Sequence, residues 1–197
     1  DIGNQGVHEM DVALWGLGRM DWPKNVFSTG GKFVWQDDQE TPNTQQATFT
    51  WSDMQVVFDV RNLPTPPEGL VPMTGPNYVG DIFFGDLGFM TLDQRGFKVY
   101  KSAAGNFVGA RGAGAGGREK YELVSEGIAD KGDTAPHMQN FLDAVKSRDH
   151  TKLSADIEIG ARSAAFCHLA NISYRAGRPL NLDANGKFIG DEEANRM

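Results

Sequence analysis

The stretch QQATFTWSDMQVVFDVR, residues Gln45 to Arg61, decides the fold class. In its first half, Ala47, Phe49 and Trp51 alternate with Thr48 and Thr50, the two-residue period of a half-buried strand. Ser52-Asp53 is a short turn signal, and MQVVFDVR beyond it supplies an antiparallel hairpin partner. Working upstream, NVFSTGGKFVW (Asn25 to Trp35) reads as strand, Gly-Gly break, strand. Downstream, residues 63–77 (LPTPPEGLVPMTGPN) are too rich in proline for regular structure and read as a loop. Then VGDIFFGDLGFMTLDQRGFKVYKS (Val79 to Ser102) gives two or three short strands separated by Gly-Asp and Gln-Arg-Gly turns. Strands that follow one another without intervening helices argue against a parallel, doubly wound sheet. The expectation is an α+β fold: an open, mainly antiparallel β-sheet with helices packed on one face.

Helices are expected at both ends of this strand run. The opening segment DIGNQGVHEMDVALWGLG turns helical near Gly6, with Asn4 placed to cap it. Near the C-terminus, Thr134 and Pro136 signal a helix start, and Met138, Phe141, Leu142 and Val145 line its apolar face. A second helix has Ser154 as its expected cap, Asp156 and Glu158 in its first turn, and Gly177 followed by Pro179 as its stop. Ile157, Ala161, Ala164, His168 and Ile172 form the stripe it would bury, His168 as a packing residue rather than a ligand. Asn171 and Tyr174 on this helix are candidates to face a cleft. Residues 102–133 read as an irregular Gly-rich loop within one domain spanning 1–197.

Composition excludes several functions. Hydrophobic residues make up 40% and charged residues 23%. That is the balance of a globular chain. Nineteen Lys and Arg face 26 Asp and Glu, a net charge of −7 without any basic block. Such a balance disfavours a nucleic-acid partner. No apolar run is long enough to span a membrane and no signal peptide opens the chain, so a soluble protein, cytoplasmic or periplasmic, is expected. Cys167 is the lone cysteine, and the four histidines show no metal-ligand spacing. Gly112, Gly114 and Gly117 satisfy G-x-G-x-x-G. The residues before them are too short and mixed to be the buried strand that a dinucleotide fingerprint needs, so this too reads as loop.

The chemistry-bearing motif lies in the opening helix. His8, Asp11, Val12 and Trp15 share one face, with the imidazole in the first turn at the positive end of the helix. The segment NQGVHEMD resembles the D-x-G-x-H-x-x-D signature that opens the C-terminal domain of the Gfo/Idh/MocA oxidoreductases. The resemblance continues through GGKFVWQDDQETPNTQ (Gly30 to Gln45), HMQNFLDAVKSR (His137 to Arg148) and FCHLANISYRAGRPL (Phe166 to Leu180). It implies the substrate-binding and oligomerising half of an NAD(P)-dependent dehydrogenase acting on a sugar, polyol or related compound. His8 takes the position of the family's catalytic histidine. Asn4 falls where many members carry Asp, and a neutral amide there can orient a hydroxyl but cannot accept its proton. Asp11 is expected to support His8. The acidic run Gln36 to Thr41 is a further candidate for polyol contact.

The family's Rossmann domain and its catalytic lysine have no counterpart in these residues. Lys120 follows Glu119 but lacks the proline of the family's Glu-Lys-Pro motif, and reads as surface. A chain that opens at Asp1 inside the motif is expected to be a fragment of a longer parent, one that binds NAD or NADP and forms a homodimer or higher homo-oligomer through its open sheet face. Phe49, Trp51, Phe58, Phe83 and Phe84 are the aromatics expected to serve that face. Alternatives of other classes are a glycosidase that uses the cofactor transiently and a stand-alone binding or dimerisation module.

Overall fold

The computed structural model describes residues 2–62, 79–102, 121–130 and 132–197. The proline-rich stretch 63–77, the glycine triplet at 112–117 and Lys120 lie outside the described residues. In chain order the elements are α1 (Gly6–Leu17), β1 (Asn25–Gly31), β2 (Thr44–Thr50), β3 (Gln55–Arg61), β4 (Gly80–Phe84), β5 (Gly88–Asp93), β6 (Gly96–Ser102), β7 (Tyr121–Ile128), α2 (Thr134–Ser147), α3 (Ile157–Ala176) and β8 (Leu180–Asn181). The fold is α+β with open antiparallel pairing, as expected, but the one sheet expected is two. Its strands divide into two sheets of four, in the orders β3-β2-β1-β8 and β4-β5-β6-β7. The chain separates into two compact units, Asp1–Thr65 with Asp143–Met197 and Pro66–Leu142.

In the first unit, the hairpin read from the sequence is present, with Ala47 opposite Phe58 and Phe49 opposite Val56. The same register puts Val26 beside Phe49 and Ser28 beside Ala47, so one face of β1–β3 gathers the buried residues. Phe166 of α3 is the centre of this core. Its ring lies 5.1 Å from Phe49, 5.8 Å from Trp51 and 6.0 Å from Trp22, and no part of it reaches solvent. Such rings supply most of the apolar area that a small core can bury. Arg162 lies 4.0 Å over the Trp22 indole, and Trp22 packs so tightly on Gly186 that a Cβ there would come within 2.6 Å of it.

The sheet is short of strand on one side, because β8 pairs only with Asn25 and Val26. The Ser28 amide beyond it donates instead to Ser173 Oγ at 3.0 Å, and that hydroxyl donates to the Arg178 carbonyl at 2.9 Å. Ser173 is fully buried yet satisfied on both counts.

The second unit's sheet carries an aromatic row. Phe89 stacks on Tyr100 at 4.7 Å and meets Tyr121 edge-on at 5.0 Å. A bulge between Val99 and Tyr100 keeps Tyr121 and Leu123 on the same face as Tyr100.

Several expectations are corrected. Residues 121–128 form β7, within the stretch read as irregular; the sequence YELVSEGI is mostly exposed and carries little burial signal. No strand follows the Gly-Gly break, because Val34 adopts a positive φ of 79° and the chain loops outward. A β-branched residue takes that conformation only where its surroundings hold it there. Asn4 does not cap α1: Gln5 holds the cap position, without a side-chain bond. Asp156, not Ser154, caps α3 through a bond from the Glu158 amide, and Asp133 accepts from the Ala135 amide at the start of α2. The buried stripe of α3 is Ser163, Phe166, Cys167, Leu169, Ala170 and Ser173, while Ile157, Ala161 and His168 are exposed. The apolar residues of α2 are about half exposed. Phe49, Trp51 and Phe58 face the helices rather than an open surface; of the aromatics expected on such a surface, Phe84 is the one that is largely exposed, at 73%.

Candidate functional site

Two contacts fix the direction of each helix over the first sheet. The Gly6 backbone sits against the Phe58 ring, and Arg19, just past the other end of α1, bonds to Asp53 and Met54 in the β2–β3 turn. So α1 runs toward that turn. Helix α3 stacks Phe166 on Trp51 near the turn and brings Asn171 and Ser173 to Gln45 and Ser28 at the far end, so it runs the opposite way. Between them the Ser163 hydroxyl donates to Asp11 Oδ1 at 2.5 Å. From this link, Asn171 lies eight residues on, about 12 Å along α3, and Gly6 five residues back, about 7 Å along α1, with Asn4 in the turn just before it. The turn carrying Asn4, the first turn carrying His8 and the last turns of α3 therefore belong to the same end of the two-helix layer. Ser163, Cys167, Ala170, Asn171 and Tyr174 follow helical spacing, so Asn171 and Tyr174 continue the side of α3 turned toward α1.

A pocket opens at this end, lined by Glu40, Thr41 and Pro42 on one wall and by Asn171, Tyr174 and Arg175 on the other. Its volume is about 230 Å³. Drug-sized ligand sites run to roughly 300–1,000 Å³, so this one suits one small ring or an acyclic polyol. The loop wall is shaped by an internal clamp. Lys32 Nζ donates to the carbonyls of Asp37 at 2.8 Å and Gln39 at 2.6 Å and pairs with the Asp37 carboxylate. The Lys32 hydrogen bond holds the Asp37 carboxyl below the usual carboxylate range. At the loop's base, buried Asn43 takes up both the amide and the carbonyl of Phe33, as a neighbouring strand would. On the helix wall, the Gln45 amide donates to Asn171 Oδ1 at 3.4 Å and to Ser28 Oγ at 3.0 Å. This leaves the Asn171 amide nitrogen to donate outward.

The residues singled out in the sequence thus separate by role. Asn171 and Tyr174 line the pocket, and the acidic run contributes Glu40 and Thr41. Asp11 is half-buried and engaged with Ser163. His8 and Asn4 are exposed, and the His8 amide donates to the Gln5 carbonyl at 3.1 Å. Pro42 and Arg175 carried no sequence signal; they join the site only through the packing of loop on helix. Trp15, expected beside His8, is 83% exposed.

Other chemistry has no foothold among the described residues. Burial pushes the Cys167 thiol up to about 11, so it stays protonated and unreactive. No three His, Cys, Asp or Glu side chains gather as a metal site. Every pairing between the named strands is antiparallel. Among the described residues, then, no strand–turn–helix crossover is present to seat a dinucleotide pyrophosphate. None of the described helices is long and apolar enough to cross a membrane.

Against known proteins, residues 120–197 match the oxidoreductase family's C-terminal alpha/beta domain. No curated protein matches the chain. Solved structures do, at low identity and therefore as evidence of fold. A Thermotoga maritima protein assigned as an oxidoreductase is 16% identical, with a TM-score of 0.59 over 90% of this chain and 45% of its own. A Listeria innocua NAD-binding protein is 12% identical, with a TM-score of 0.58 over 90% of this chain and 50% of its own. The Bordetella pertussis WlbA dehydrogenase, solved with NADH and UDP-GlcNAcA, is 16% identical, with a TM-score of 0.51 over 91% of this chain and 44% of its own. The chain spans about half the length of these structures. The motif around His8 lies outside the family match, which covers β7, α2, α3 and the C-terminal segment. Over residues 120–197 the chain is thus similar to the C-terminal alpha/beta domain of the Gfo/Idh/MocA oxidoreductases, and beyond them the likeness is one of fold.

Proposed function

We propose that the chain is the substrate-binding and oligomerising half of an NAD(P)-dependent dehydrogenase acting on a sugar, polyol or related polyhydroxy compound. One observation supports this above others: a small pocket lined by Glu40, Thr41, Pro42, Asn171, Tyr174 and Arg175 offers hydrogen-bonding groups to a polyhydroxy ligand. Helix rise places the turn bearing His8, which is not among the lining residues, toward the same end of the helical layer. His8 is the acid/base group that exchanges a proton with the ligand hydroxyl. Asn4 orients that hydroxyl, and Asp11 holds α1 against α3 through Ser163 so that the imidazole keeps its place. Asn171 and Tyr174 bind the remainder of the ligand. In this reading the hydride partner, NAD or NADP, is held by a Rossmann domain of the longer parent.

The test uses a native chain that also carries a cofactor domain. His8→Ala there lowers kcat by about 10²- to 10⁴-fold, the usual contribution of a positioned acid/base, and leaves nicotinamide binding unchanged. Turnover within about threefold of the unaltered protein would end this assignment, since a group that moves the proton cannot be removed at so small a cost.

A further inference from the structure

The pocket's two walls each present one charge. Glu40 comes from the clamped loop and Arg175 from the last turn of α3, and both are exposed. Neither pairs with another side chain among the described residues. Around them stand groups that give or take single hydrogen bonds: the Thr41 hydroxyl, the Asn171 amide nitrogen and the Tyr174 phenol. Pro42, which is buried, and the Tyr174 ring supply the apolar surface.

From this arrangement we infer that the pocket selects an uncharged polyhydroxy ligand, with Glu40 and Arg175 as its specificity-determining residues. The inference rests on the polyhydroxy reading above and narrows it. A carboxylate accepts from two adjacent hydroxyls, and a guanidinium donates to the oxygens of others, so both charges find partners on one neutral polyol. An anionic ligand gains from Arg175 but is repelled by Glu40, and a cationic one meets the reverse. Neither gains what its single charge would bring to a pocket of one sign. The clamp of Lys32 on the loop carbonyls keeps Glu40 at the wall, so a ligand does not have to order it.

The experiment is an NMR titration of this 197-residue chain with three probes that differ in one substituent: D-glucose, D-glucuronate and D-glucosamine. Glucose is expected to shift the Asn171 side-chain amide and the Arg175 Nε–H. Glucuronate and glucosamine each desolvate a charge that the two opposed walls leave without net gain, and should bind about threefold to fivefold more weakly. Glu40→Gln should then reverse the order of glucose and glucuronate, while Arg175→Gln should favour glucosamine. Amide spectra of both variants report that the fold is intact. Equal or tighter binding of glucuronate to the unaltered chain overturns the inference. So do shifts confined to residues away from Asn171 and Arg175, an unchanged ligand order in both variants, or no binding by any probe. None of these results bears on whether His8→Ala abolishes turnover in a two-domain chain, so the pocket and the dehydrogenase reading fail separately.

Discussion

At the scale of single residues, the site depends on a few side chains that join elements distant in sequence. The Ser163 hydroxyl reaches Asp11 across 152 positions. It can also bond to the Ile159 carbonyl one turn back, at 3.2 Å. Asp11→Ala should therefore cost only about 1 kcal/mol. Urea denaturation at neutral pH measures it; a loss beyond about 3 kcal/mol would mean that Asp11 carries a structural load that this bond does not explain. Phe166→Ala is of a different order. Its ring contacts Phe49, Trp51 and Trp22, and removing it leaves a cavity none of them can fill. A loss of about 3–5 kcal/mol is expected in the same assay.

At the scale of elements, α3 carries the pocket wall and begins at a pH-sensitive cap. Asp156 accepts from the Glu158 amide and also bonds His150 Nδ1 at 2.6 Å. That hydrogen bond raises the His150 imidazole above its ordinary range and lowers the Asp156 carboxyl below its own. The raised imidazole contributes stability that is complete below about pH 6.5, the unfolded value, and is lost as pH climbs through its folded value. The lowered carboxyl contributes above about pH 3.9 and fails as pH falls through its folded value. Comparing Tm for the unaltered chain and His150→Gln should therefore show a gap near about pH 5.5 that closes by about pH 9. A gap that persists at the alkaline end would point to packing rather than charge.

The elements also separate what is legible in the sequence from what is not. The β2–β3 hairpin is readable because Ala47, Phe49 and Trp51 alternate cleanly and a turn follows. The β7 strand is not: its register with β6 comes from tertiary pairing, and its exposed side chains leave no periodic trace. KFVW has the composition of a strand, yet the Lys32 clamp and the Asn43 amide divert it into the loop that walls the pocket. The stripe on α3 is misread from sequence because buried Ser163 and Ser173 look polar until their partners are known. In the site, Asn171 and Tyr174 can be picked out from one helix. Arg175 and Pro42 cannot, because only the packing of loop on helix brings them together.

At the scale of the molecule, homo-oligomerisation remains our proposal, and the second unit offers the surface to test. Phe84 is 73% exposed at the end of the aromatic row that runs through Phe89 and Tyr100. An apolar ring left in water at the end of such a row marks a surface that a partner can cover. Sedimentation should find the chain as a dimer or larger, and Phe84→Asp should shift it toward monomer. A chain that sediments as monomer at high concentration would remove the oligomer from the proposal. In the first unit, the stack of Arg162 on Trp22 on Gly186 links the segment after α1, the third helix and the C-terminal loop. Any side chain at position 186 displaces the indole, and a displaced indole strands the guanidinium. Positions 22, 162 and 186 are thus expected to be inherited as one trait: relatives should keep all three or exchange all three, and a gene carrying one change alone should be rescued most readily by a second change within the trio.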